Sequence, residues 1–294
     1  MMINKILLSC ILMCGIHTEL VAQPVDAVTN KNKIALKDLD FKTVMKSFYQ
    51  KQIQYVKIPQ LDQSNIQYVG IKNAEYTHVF DRNDAVIVFS PASAYQNAQN
   101  ELRYLISTTE VSIDKNNELL NFCGVCATFT KIYLFKKNAL GQFELVSQSQ
   151  DENSWMNADF NSLPYPTENI VKNIRKIGPR IKGYVEEQAY SRQGYSTSTL
   201  YIIPFDENPA MVKLEVAEIG NDNEVIGSDK IYNTQADYRF LSTEHDGLYD
   251  IEIHYSGTQQ IYVGDIAKIV PINETHVYQY NEKQQKYIRV KLHD

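Results

Sequence analysis

Beyond its first residues the chain has no hydrophobic run approaching the roughly 20 residues that a membrane-spanning helix needs. Residues 6–16 are the most apolar stretch, and even they are too short to span. They read instead as the middle of an export signal. A short basic start ends at Lys5, the apolar core follows, and Val25-Asp26-Ala27 offers small residues at the spacing a signal peptidase reads. The sequence therefore predicts a signal peptide over residues 1–27 and a periplasmic or secreted mature chain with no transmembrane segment.

Cysteine is scarce as well. Of the four, Cys10 and Cys14 fall in the leader. Cys10 has too little apolar sequence before it for a lipoprotein anchor, and Cys14 follows the bulky Met13. Cys123 and Cys126 remain, in Cys123-Gly124-Val125-Cys126. In an oxidising compartment such a pair can be a structural disulfide, a redox dithiol, free thiols or metal ligands. Redox chemistry needs a thiolate stabilised by a helix N-terminus, whereas residues 127–135 alternate like a strand. A structural disulfide fits better; closing so small a loop is worth about 2 kcal/mol in the chain-entropy model.

Positive charge is in the minority, at 29 Lys and Arg against 35 Asp and Glu, for a formal net charge of −6. The one basic stretch, Lys172, Arg175, Lys176, Arg180 and Lys182, is short. That balance argues against a nucleic-acid partner. Catalytic signatures are missing too: there is no Gly-x-Ser-x-Gly, no His-Glu-x-x-His and no phosphate loop. His78, His245, His254, His276 and His293 are scattered, with no pair at i, i+3 or i, i+4, so no metal and no cofactor is assigned. Glu186-Glu187 and Asp206-Glu207 read as solvated carboxylates at a helix end and in a turn. Asn221-Asp222-Asn223-Glu224 starts like a calcium loop but lacks the closing Glu, and reads as a hairpin turn. No catalytic residue is nominated.

What the chain has in abundance is alternation. Asp40 is placed to cap a helix whose Phe41, Val44, Met45 and Phe48 share one face. Strands are predicted over 53–56, 66–69, 76–80 and 85–89, then a helix over 92–106 with Tyr95, Leu102 and Ile106 on the face that covers the sheet. A hairpin follows, 127–135 with 143–146. Thr167 caps a second helix in which Ile170, Ile174, Ile177 and Ile181 recur at helical spacing, with Pro179 kinking or ending it. Strands then fill 200–205, 211–219, 238–241, 248–255, 260–263 and 276–280. The expected fold class is α+β, mostly antiparallel β, in two halves that each open with a helix. The first is an α+β domain over 28–160 carrying Cys123 and Cys126. The second, over 161–294, is a helix followed by a β-sandwich or small barrel.

Twenty tyrosines stand against one tryptophan, among many Asn, Gln and Ser. That mixture makes adaptable protein-binding surfaces, because tyrosine offers contact area at low entropic cost, although tyrosine is equally a good strand residue. The tract 192–198 is the most loop-like, which makes Tyr190, Arg192 and Tyr195 the candidate binding residues. Export, acidity, tyrosine-rich loops and no catalytic constellation together suggest a non-catalytic protein-binding protein of a bacterial envelope. Its expected form is a periplasmic inhibitor or immunity protein whose acidic charge suits a basic toxin or hydrolase. The alternative is an envelope enzyme or glycan-binding module whose site is built from distant residues.

Overall fold

The computed structural model describes residues 34–48, 53–56, 68–73, 84–113, 115–116, 128–149, 155–157, 167–223 and 231–290. In chain order the elements are β1 (Ala35–Leu36), α1 (Phe41–Phe48), β2 (Ile53–Val56), β3 (Tyr68–Asn73), β4 (Asp84–Gln96), β5 (Leu102–Ile113), β6 (Thr128–Lys137), β7 (Phe143–Ser149), β8 (Trp155–Asn157), α2 (Thr167–Lys172), β9 (Ile174–Lys176), β10 (Lys182–Arg192), β11 (Tyr195–Pro204), β12 (Ala210–Met211), β13 (Leu214–Asp222), β14 (Asn233–His245), β15 (Leu248–Val263), β16 (Ile266–Asn281) and β17 (Lys286–Val290). Among the described residues the protein is mostly antiparallel β with two short α-helices. No helix among the described residues is long and apolar enough to cross a membrane.

The first sheet is a meander, ordered β1-β7-β6-β5-β4-β3-β2. Alternation along β5 and β6 sends Ile106, Tyr133 and Phe135 to one face and Leu105, Ile132 and Leu134 to the other. α1 lies on the first face as its spacing predicts: Val44 and Met45 are buried, Phe48 stacks at 4.7 Å on Tyr133, and Phe41 meets Phe89 edge-on at 5.8 Å. The second face packs on α2 and on residues of the second sheet, Tyr184 and Ile203, in one shared cluster. β12, which lies in the connection from β11 to β13, pairs in parallel with β7 and ties that connection to the first sheet.

The second sheet is ordered β17-β16-β15-β14-β13-β11-β10-β9. β17 and β13 are four places apart, about 19 Å in a flat sheet, yet they touch. The sheet therefore curls into a half-barrel. Pairing explains how: β14 holds β13 through only three residue pairs, Gly220 to Asp222 against Asn233 to Gln235, and diverges beyond them. Leu200, Ile202, Val216, Ile219, Ile251, Ile253 and Tyr287 fill the concave side.

Two expected helices are corrected. Residues 92–106 form the end of β4, a turn and the start of β5. No glycine or proline interrupts 92–106, but the side chain of Asn97 makes the turn by accepting from the N–H groups of Gln99 (3.0 Å) and Glu101 (2.9 Å). Of the three residues expected on one helical face, Tyr95 enters the core shared with α2, Ile106 faces the α1 side and Leu102 is exposed, so their helical spacing is incidental. The second helix stops at Lys172. Ile174 lies in β9, and Ile177 enters the half-barrel core while Ile170 faces the first sheet, so the isoleucines divide between two cores.

Candidate binding surfaces

β10 and β11 are joined by Gln193-Gly194, both at positive φ (51° and 86°), the two-residue turn that matches strand twist. Register puts Arg192 opposite Tyr195 and Tyr190 opposite Thr197, so the three expected binding positions lie on one face at this tip. The side chain of Arg192 lies outside the described set. Tyr190 and Tyr195 are about half exposed. At the same end, Tyr232 donates to Asn221 Oδ1 at 3.1 Å, and its own N–H bonds Asn223 Oδ1 at 2.8 Å. Burial first, then the neighbouring Tyr195, Glu218, Asp222 and Tyr262, push the Tyr232 phenol up.

Tyr262 belongs to the longest hairpin. β15 and β16 pair from Ile251–Tyr278 out to Val263–Ile266, around a tight turn in which Gly264 has φ 62°. The inner half is core, with Ile251 and Ile253 fully buried. The ribbon leaves the sheet at Gly257, where φ is 101° and a Cβ would lie 2.2 Å from the Asn233 carbonyl oxygen. Beyond Thr258, which still bonds Asn233 and Thr234, β14 no longer pairs with β15, and β17 covers β16 only from Val277 onward. Of the ten large hydrophobic residues exposed among the described residues, seven sit at this end: Tyr190, Tyr195, Ile231, Ile261, Tyr262, Val263 and Ile266. Clustered exposed apolar surface of this kind marks interaction sites.

The opposite end of β10 and β11 is charged. Glu207 accepts from Arg103 Nε at 2.7 Å and from Lys136 Nζ at 2.8 Å, while Arg103 Nη2 also reaches Glu101 at 2.7 Å. Arg103 is buried. Burial alone would raise the Glu207 carboxyl, but hydrogen bonds from Lys136 and Arg103 outweigh it and hold the group below the usual carboxylate range. Its stabilising contribution is thus present above the unfolded-state value and is lost as pH falls through the lowered one. Glu207→Ala should cost about 1–3 kcal/mol in urea unfolding, since it strands a buried guanidinium. An unchanged midpoint would show that Glu101 alone satisfies Arg103.

Beside this network, Asp206, Glu244, Asp246, Tyr280 and Glu282 line a cavity of about 430 Å³ with Arg180 on its wall. Burial raises the Asp206 carboxyl against the hydrogen bonds from Asn208. Burial, then Glu282, Asp206 and Asp246, raise the Tyr280 phenol. Among the described residues, no group of three or more His, Cys, Asp or Glu is placed to hold a metal ion.

Asp206 and Glu207 are thus not simply solvated, and neither is Glu186, which lies in β10 and faces the partly buried Lys213 at 3.2 Å. Cys123 and Cys126 lie outside the described residues, as does residue 224 of the calcium-like turn. Tyr232 and Tyr262 were missed, because strand pairing and not sequence proximity brings them to Tyr195. No family model, curated protein or solved structure matches this chain.

Proposed function

We propose that this chain is an exported, non-catalytic protein-binding protein of a bacterial envelope, periplasmic or secreted, acting as an inhibitor or immunity protein against a basic toxin or hydrolase. The observation that supports this reading most is the gathering of seven exposed hydrophobic residues, three of them tyrosines, at the end that carries the β10–β11 and β15–β16 turns. Tyrosine anchors in such a patch bind with little loss of side-chain entropy, and the chain's net charge of −6 steers a basic partner toward it. The test is affinity capture from envelope and culture-fluid extracts by the mature chain and by a Tyr195→Ser/Tyr262→Ser variant. The expected result is one stoichiometric basic protein whose activity falls when bound, held at least tenfold more weakly by the variant. Equal retention by both forms, or retention of no protein, would overturn the assignment.

A second reading has its own support. The carboxylates and Tyr280 around the 430 Å³ cavity supply the acids and aromatic ring that an envelope enzyme or glycan-binding module would use. It predicts retention of a glycan by both forms, lost on Asp246→Asn.

A further inference from the structure

We propose that the cleft between the β4–β5 turn, the end of β6 and the start of β10 binds an acidic peptide segment carrying an apolar residue. Two adjoining cavities, of about 770 and 430 Å³, share Leu102 and Lys182 and make this cleft. Six cations line it, Arg103, Lys136, Lys137, Lys176, Arg180 and Lys182, against three carboxylates, in a chain whose overall charge is −6. Glu101 and Glu207 are already engaged by Arg103 and Lys136. Lys137, Lys176, Arg180 and Lys182 form no ion pair with a carboxylate among the described residues.

Two features indicate that an anion belongs there. Lys176 stands directly opposite Lys182 across the β9–β10 pair, a like-charge pairing that disfavours the sheet and that a bound anion offsets, with Lys182 Nζ held on the Gln96 carbonyl and Lys176 Nζ 5.9 Å from the Tyr249 ring centroid. The walls are also fixed in advance. Gln99 Nε2 donates to the Arg180 carbonyl at 3.0 Å, Lys182 Nζ to the Gln96 carbonyl at 2.8 Å, and the Phe205 N–H to the Lys182 carbonyl at 3.0 Å. Preorganisation of this kind lowers the cost of binding.

Leu102 decides the chemical class. It is 53% exposed, within a cleft that has Lys137 among its walls as well as Lys182. A bare phosphate would leave it uncovered, whereas a peptide with carboxylates flanking an apolar side chain covers Leu102 and meets the cations together. A long nucleic acid would meet the chain's net negative charge. The site lies at the opposite end of β10 and β11 from the aromatic tip and does not depend on the function proposed for it.

The experiment is fluorescence anisotropy of a fluorescein-labelled synthetic peptide, Glu-Glu-Leu-Glu-Glu-Leu, titrated with the full mature chain at low and moderate salt. Expected are saturable binding that weakens with salt, at least a tenfold loss for Lys176→Gln/Lys182→Gln, a similar loss for Leu102→Ser, and no change for Tyr195→Ser. Lys176 and Leu102 are exposed, and circular dichroism of each variant confirms its fold. Absence of saturable binding, indifference to both variants, or equal affinity for a peptide with Ser in place of Leu would overturn the proposal. So would tighter binding of an oligonucleotide or a sulfated glycan to the same site.

Discussion

Gly183→Val should destabilise the protein by about 3 kcal/mol or more, among the largest effects of any single substitution here. Gly183 lies in β10 between Arg175 of β9 and Pro204 of β11. A Cβ at this position would stand 2.4 Å from the Ile203 carbonyl oxygen and 2.5 Å from Ile177 Cδ1. The first obstacle is backbone, and the second is a fully buried side chain. Neither can move alone: Ile203 belongs to the cluster shared with the first sheet, and Ile177 to the half-barrel core. Close packing turns the overlap into strain in both cores at once. Urea unfolding followed by circular dichroism checks it, with Gly141→Ala as comparison. Gly141 has φ 75° but open space around it, so alanine there meets only a backbone penalty of about 1–2 kcal/mol. Equal midpoints for the two variants would mean that β10 does not hold Gly183 this tightly.

The same tight junction shows why some of the fold is legible in the sequence and some is not. α1 could be read because its apolar residues face one sheet and nothing competes for them. The hairpin β6–β7 could be read in outline from alternation, and parts of β11, β15 and β16 as separate strands, but β10 could not, because its Glu186-Glu187 pair follows a helix-like stripe and reads as a helix end. Residues 92–106 were misread because a turn built by one asparagine side chain carries no glycine or proline signal. The isoleucines of 170–181 were misread because burial on two opposed sides, in strand and loop, can imitate one helical stripe. Of the candidate surfaces, Tyr190 and Tyr195 could be picked out because they flank an obvious turn. Tyr232 joins them only through the register of β11, β13 and β14. Glu207 looked like a turn carboxylate because its partners, Arg103 and Lys136, are contributed by the other sheet.

Alkali should unfold the chain cooperatively, with phenolate absorbance at 295 nm rising together with the loss of strand ellipticity. Burial, then Glu187, pushes the Tyr238 phenol up to about 12. Burial also raises Tyr95, Tyr255 and Tyr287, all less than a tenth exposed. A folded-state value above the unfolded one, near 10, contributes stability that is fully present below pH about 10 and is lost as pH rises through the folded value. These phenols all act in the same direction, so alkali withdraws their contributions together. The four are not equivalent. Tyr255 donates to the Glu218 carbonyl at 3.0 Å and lies 3.0 Å from the Tyr278 hydroxyl, and Tyr287 donates to the Tyr249 carbonyl at 3.2 Å. Among the described residues, the buried Tyr95 hydroxyl has no hydrogen-bond partner. Tyr255→Phe should therefore cost about 1 kcal/mol at neutral pH, while Tyr95→Phe holds or gains stability. Both should move the alkaline transition to higher pH, because each removes a group that resists ionisation only while the fold is intact. If instead all twenty tyrosines titrate near 10 with the strand signal unchanged, these phenols are not sealed from water and the half-barrel core is looser than its packing implies.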